Sequence, residues 1–114
     1  MRPSIWTQVQ DPAAYNLNQW NHAAVTYDST ISSGTLKIYK NGAQVATVNS
    51  IAAPTNGKVI VGNHLNSSGS AVTGMDGSLA VVQIYYRALS AQEIKQNCFA
   101  QQGRFSGTNI CAAP

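Results

Sequence analysis

The sequence predicts an all-β fold, a sandwich or barrel, on three observations. Short stretches rich in Val, Ile, Thr and Tyr recur from end to end. Clusters of Gly, Asn, Asp, Ser and Pro separate them, and strands bounded by turn formers at this spacing build antiparallel sheets. Asn41-Gly42 stands between two alternating segments, and Asn-Gly tolerates the positive φ angles that a two-residue hairpin turn demands. The 114 residues are the size of one domain and carry no internal repeat.

Taken in order, Ser4 to Val9 reads as a short strand, and Asp11-Pro12 opens a loop running through Asn16 to Gln19. Asn21 to Tyr27 alternates, with His22, Ala24 and Thr26 on one side and Ala23, Val25 and Tyr27 on the other. Asp28-Ser29-Thr30 ends that strand. The hairpin pairs Thr35 to Lys40 with Ala43 to Val48. A two-residue loop sets Ile38 opposite Val45 and Leu36 opposite Thr47, which places this apolar set on the core and turns Lys37 and Ala46 away. Pro54 to Gly57 breaks the chain before a brief strand, Lys58 to Val61, that Gly62 ends. Asn63 to Gly74 is polar and glycine-rich and reads as a loop. Ser78 to Tyr86 is apolar on both faces, which predicts the longest and most central strand, with Leu79 to Val82 the most buried part of the molecule. One helix is specified by its ends. Ser90 is an N-cap, Glu93 three residues on completes a capping box, and Leu89 can staple onto Ile94, so the helix runs from Ala91 to about Cys98.

Composition narrows the function. Only 10% of the residues are charged, against ~25% in typical soluble domains, and the net charge is +3. The basic residues Arg2, Lys37, Lys40, Lys58, Arg87, Lys95 and Arg104 never cluster, so nucleic acid is not an expected partner. The longest apolar run, Leu79 to Val82, is far below the ~20 residues of a membrane-spanning helix, so no membrane insertion is expected. No apolar stretch follows Met1 to read as a secretory signal. Cys98 and Cys111 bracket a polar tail. A disulfide between them would be worth roughly 3 kcal/mol and would imply an oxidising compartment. The alternative is two unpaired thiols, since their spacing is no metal motif and neither has neighbours that activate a thiolate.

Five segments together resemble the laminin-G-like, concanavalin-A-like lectin/glucanase superfamily. They are Trp20 to Tyr27 (WNHAAVTY), Gly34 to Gly42 (GTLKIYKNG), Val59 to Gly62 (VIVG), Asp76 to Tyr85 (DGSLAVVQIY) and Arg87 to Ile94 (RALSAQEI). The resemblance covers about residues 18 to 97 and implies an antiparallel jelly-roll-like β-sandwich of two sheets with one short helix near the C-terminus. On that reading residues 1–97 form the sandwich and residues 98–114 a C-terminal tail. Family domains carry further strands before the Trp20 segment, and only 19 residues precede it here. The expectation is therefore the later half to two-thirds of a domain, completed by self-association or by a partner chain. Tyr86 departs from the family, which commonly has a small polar residue there.

The resemblance also frames the chemistry. Its glucanases place two or three acids at alternate positions of one strand, because cleavage needs two carboxylates flanking one glycosidic bond. This chain has four acids, Asp11, Asp28, Asp76 and Glu93, and no predicted strand carries two of them. His22 and His64 stand in no activating motif for a nucleophile, and with the two cysteines they match no zinc spacing. An enzyme is not expected. Some relatives hold calcium through Asp and Asn side chains, for which Asp76, Asn63 and Asp28 are the candidate oxygen donors. No other cofactor is expected.

A sugar site needs an aromatic face for stacking, with amide and hydroxyl groups around it. Trp6, Tyr15 and Tyr86 are the aromatics not required by the predicted core, and Asn63, His64 and Asn66 supply polar groups. Trp20, Tyr27, Tyr39 and Tyr85 are expected in the core or half-buried. The sequence thus leads to a non-catalytic carbohydrate-recognition or adhesion module that is extracellular, on a cell surface or in a virion, its partner a glycan or surface polysaccharide. The competing expectation is a structural assembly subunit, pilin-like or of a surface or virion protein, without a sugar ligand.

Overall fold

The computed structural model describes residues 18–53, 63–65, 68, 70–74, 77–105 and 110–111. The chain divides into two units, Met1–Ala53 with Tyr85–Pro114 and, between them in sequence, Pro54–Ile84. The predicted strands Ser4 to Val9 and Lys58 to Val61 lie outside the described residues.

Among the described residues the larger unit is a three-stranded antiparallel sheet followed by one helix. Strand β1 (Ala23–Asp28) pairs with β2 (Thr35–Lys40), and β2 with β3 (Ala43–Val48). The hairpin forms at Asn41-Gly42, whose φ angles of 51° and 85° are the pair of positive values the turn requires. Asn41 then does a second job. Its Oδ1 accepts from the His22 N–H at 2.7 Å while its own N–H donates to the His22 carbonyl at 2.7 Å, latching the start of β1 to the hairpin tip.

The register departs from expectation beyond the turn. Lys40 opposes Ala43 and Tyr39 opposes Gln44, but the pairing then shifts, so that Ile38 faces Ala46, Lys37 faces Thr47 and Leu36 faces Val48. A bulge at Val45 accounts for this, because one extra residue on β3 moves every later partner by one position. The expected core face is corrected as well. Tyr39 is 2% exposed and forms the core with Leu89, Ile94 and the partly buried Ala24, its cross-strand partner. Thr35 and Thr26 are also buried, whereas Leu36 and Ile38 are only half-buried. The helix brings its apolar residues to the Tyr39 face, so among the described residues the sheet is more deeply covered there than on the side that carries more aliphatic residues. Burying each such side chain is worth about 1.5–3 kcal/mol.

Helix α1 (Ala91–Gln102) begins as predicted. Ser90 Oγ accepts from the Glu93 N–H at 3.1 Å, and Glu93 Oε1 accepts from the Ser90 N–H at 2.9 Å. Leu89 and Ile94 share the core on either side of this cap, as a hydrophobic staple requires. The helix runs a turn beyond Cys98, because Phe99 to Gln102 contain no breaker, and it stops at Gly103.

The connection from β1 to β2 is a tight clamp. Gly34 has a φ of 102°, its carbonyl accepts from the Ile51 N–H at 3.1 Å, and the Tyr27 hydroxyl donates to the Ile51 carbonyl at 2.7 Å. A Cβ on Gly34 would collide with the Ile51 carbonyl oxygen.

Two further expectations are corrected in the Pro54–Ile84 unit and at its end. Asn63 to Gly74 is not all loop, since β4 (Asn63–Leu65) and β5 (Ala71–Gly74) pair antiparallel, His64 opposite Thr73. Backbone hydrogen bonds define such a short pair, and hydrophobic patterning cannot detect it. Residues 78–86 belong to no strand, and Leu79, Val81, Val82 and Ile84 are exposed instead of forming the most buried segment. Side-chain character favours a strand there, but a strand is defined by its pairing, and the described strand pairs do not include this stretch.

Candidate recognition surface

Of the residues expected to contact sugar, Trp6, Tyr15 and Asn66 lie outside the described residues. Asn63 and His64 occupy adjacent positions of β4, opposite Gly74 and Thr73. Tyr86 is fully exposed, as open to solvent as a side chain on an extended peptide. Its neighbours are tied to α1. The Tyr85 hydroxyl accepts from Asn97 Nδ2 at 3.4 Å, and the Arg87 guanidinium donates to both Glu93 carboxylate oxygens, at 2.8 and 2.5 Å. Tyr86 is thus presented between two anchored residues.

Trp20 and Tyr85, expected in the core or half-buried, lie outside the core at 38% and 45% exposed. Tyr27 is half-buried and Tyr39 fully buried, as expected. The Trp20 indole meets the ring of Phe105, with centroids 5.0 Å apart and planes tilted by 40°, and the Arg104 guanidinium carbon lies 5.8 Å from the Phe105 centroid. The pair is held from the helix side. The Arg104 N–H donates to the Gln101 carbonyl at 3.0 Å and the Phe105 N–H to the Gln102 carbonyl at 3.1 Å. Cys98 and Cys111 form the disulfide, with a Cα–Cα distance of 5.9 Å, and the Cys111 N–H donates to Oε1 of the buried Gln102 at 3.1 Å. Sequence reasoning did not bring Trp20 and Phe105 together. The one local signal was an indole flanked by Gln19 and Asn21, a polar setting for a residue expected in the core or half-buried.

With this geometry in place, comparison with known proteins identifies the scaffold. The family model described as the concanavalin A-like lectin/glucanases superfamily, of laminin-G type, matches residues 3–95. The chain belongs to this superfamily. A solved structure of an S-layer domain-containing protein from Clostridium thermocellum (its residues 221–444) is similar, with 27% identity and a TM-score of 0.62. The match covers 77% of this chain and 43% of that one, so the chain spans less than half the length of its structural relative. A search of curated proteins finds no match.

Of the four acids, Asp28 and Glu93 have described side chains. Glu93 is engaged twice, by Arg87 and by the cap, and the Arg87 hydrogen bonds lead in holding its carboxyl down at about 2. Asp28 Oδ1 accepts from the Thr30 hydroxyl at 2.6 Å and the Thr30 N–H at 2.9 Å, which hold this carboxyl below its ordinary range. Both carboxylates therefore stay ionised and serve local structure, whereas a general acid must keep its proton. Asp11 and Asp76 lie outside the described residues, and so do the side chains of Asn63 and His64. Asp28 is the one expected calcium donor whose side chain is described, and its carboxylate serves its own turn. Among the described residues no three His, Cys, Asp or Glu side chains gather as a metal site. His22 is half-buried with Nδ1 buried and unpartnered, and burial holds its pKa below the ordinary value. Among the described residues no helix is long and apolar enough to cross a membrane.

Proposed function

We propose that this chain is a non-catalytic carbohydrate-recognition or adhesion module of an extracellular or surface protein. The observation that carries the reading is Tyr86, a fully exposed aromatic between two residues anchored to α1. An exposed ring can stack on the apolar face of a pyranose, and the bonds made by Tyr85 and Arg87 fix the stretch of chain that presents it. The superfamily scaffold, the disulfide and the likeness to an S-layer domain-containing protein support the surface setting. Glycan-array or affinity-electrophoresis screening tests it. Binding that Tyr86→Ala weakens at least ten-fold is expected, since covering an aromatic side chain is worth about 1.5–3 kcal/mol. No binding to any glycan at millimolar concentration would refute it.

A second reading, a structural assembly subunit, is favoured by a different observation. Leu79, Val82 and Ile84 are exposed within a few residues of one another, and a stretch from Gly77 to Tyr86 has no charge to oppose association. Self-association or a partner chain would cover them. Light scattering decides, because this reading requires an oligomer that Val82→Lys dissociates, and a folded monomer at 100-fold dilution and at high concentration alike would eliminate it.

A further inference from the structure

We infer that Trp20, Phe105 and Arg104 form a ligand platform for an acidic pyranose, one bearing a carboxylate or a sulfate. The inference rests on the carbohydrate reading and adds a site and a substrate class to it.

Three properties point to it. The first is accessible aromatic surface: Trp20 meets Phe105 with centroids 5.0 Å apart and planes tilted by 40°, and Trp20 keeps 38% of its surface open. The second is charge. Arg104 is exposed and its guanidinium lies within cation-π range of Phe105, where it can offer a planar fork to a carboxylate or sulfate beside the stacked sugar. The third is preorganisation. Phe105 and Arg104 are bonded back onto the last turn of α1, and the Cys98–Cys111 disulfide closes the tail that carries them. Trp20 precedes His22, which Asn41 latches at the hairpin tip. Both rings are therefore held before a ligand arrives, which lowers the cost of binding. Packing alone accounts for two rings in contact. It does not account for an indole left 38% open and an exposed guanidinium set over the ring that the indole meets, in a chain where charge is scarce.

The test uses the full oxidised chain and three probes of similar length: an oligogalacturonate, a sulfated galactan oligosaccharide and a neutral galactan oligosaccharide. Binding is followed by calorimetry and, in a Trp6→Phe background, by the emission of Trp20. The expected result is at least one acidic probe bound about ten-fold more tightly than the neutral one, with a shift in Trp20 emission. Which acidic probe binds separates carboxylate from sulfate. Arg104→Gln is expected to abolish the preference for the acidic probe without lowering the melting temperature, an outcome that a purely structural arginine would not produce. Glycan binding that Tyr86→Ala removes while Trp20 emission and Arg104→Gln leave it untouched would overturn this inference and leave the carbohydrate reading standing. Absence of binding to all glycans would overturn both.

Discussion

Replacing Gly34 by alanine probes the clamp between β1 and β2 in two separable ways. At a φ of 102° an L-residue is strained whatever space surrounds it, at a cost of about 1–2 kcal/mol. The new Cβ would also collide with the Ile51 oxygen and stand 2.7 Å from the Tyr27 hydroxyl, so the Ile51 carbonyl has to move. That movement breaks two hydrogen bonds, Tyr27 hydroxyl to Ile51 carbonyl and Ile51 N–H to Gly34 carbonyl, each worth about 0.5–1.5 kcal/mol. The sum is roughly 2–5 kcal/mol, a large part of the 5–15 kcal/mol that holds a typical domain folded. For a chain of this size each kcal/mol lowers the melting temperature by roughly 4–8 °C, so the fall should exceed about 8 °C. Circular dichroism melts with a parallel urea titration measure it. Gly103→Ala is the control, because Gly103 has a φ of −64° and nothing within 4 Å of a built Cβ. That variant should stay within about 0.5 kcal/mol of the parent. The reasoning is refuted if Gly34→Ala melts within about 1 kcal/mol of the parent, or if the two variants lose equal stability.

Three other outcomes follow from named contacts. Glu93→Ala removes both the capping box and the Arg87 pair, so helical ellipticity should fall. Because the Glu93 carboxyl is lowered from 4.5 to about 2, its stabilisation is present above pH 4.5 and disappears as pH falls to 2, and the variant should lack that part of the acid transition. His22 titrates lower in the folded chain than its ordinary 6.5, so the unfolded chain takes up the proton first. Urea midpoints should be flat above about pH 7 and decline below 6.5, and His22→Gln should reduce that slope. Reduction of Cys98–Cys111 should cost roughly 3 kcal/mol for a loop of this length and shift Trp20 emission as Phe105 loses its tether, and unchanged emission would show that the pair does not depend on the disulfide.

The elements legible in the sequence were those whose signal is local. Asn41-Gly42 dictates a two-residue turn because few other pairs accept two positive φ angles, and Ser90 with Glu93 specifies a helix start through hydrogen bonds three residues apart. Cys98 and Cys111 could be proposed as a pair because they are the only two cysteines, and the folded chain brings them together. Tyr86 was recognisable as an aromatic without a core role, and it is fully exposed.

What tertiary structure alone decided depends on neighbours remote in sequence. The bulge at Val45 follows from how β3 lies along β2, and it moved Ile38 from Val45 to Ala46. The helix chose the Tyr39 face over the Leu36 and Ile38 face, because burial depends on where a covering element lands. The stretch Leu79 to Ile84 has the side chains of a central strand, yet it remains exposed among the described residues, since hydrophobicity drives burial only where a second surface is available. Trp20 and Phe105 lie near opposite ends of the chain, and no period or spacing in the sequence links them. Their contact exists because α1, its cap and the disulfide return the C-terminal tail to the start of β1. Sequence by itself determined the Asn41-Gly42 turn, the helix cap and the mostly β character of the chain, through interactions within a few residues. The covered face and the side chains that meet on the surface were decided by packing between segments far apart in the chain.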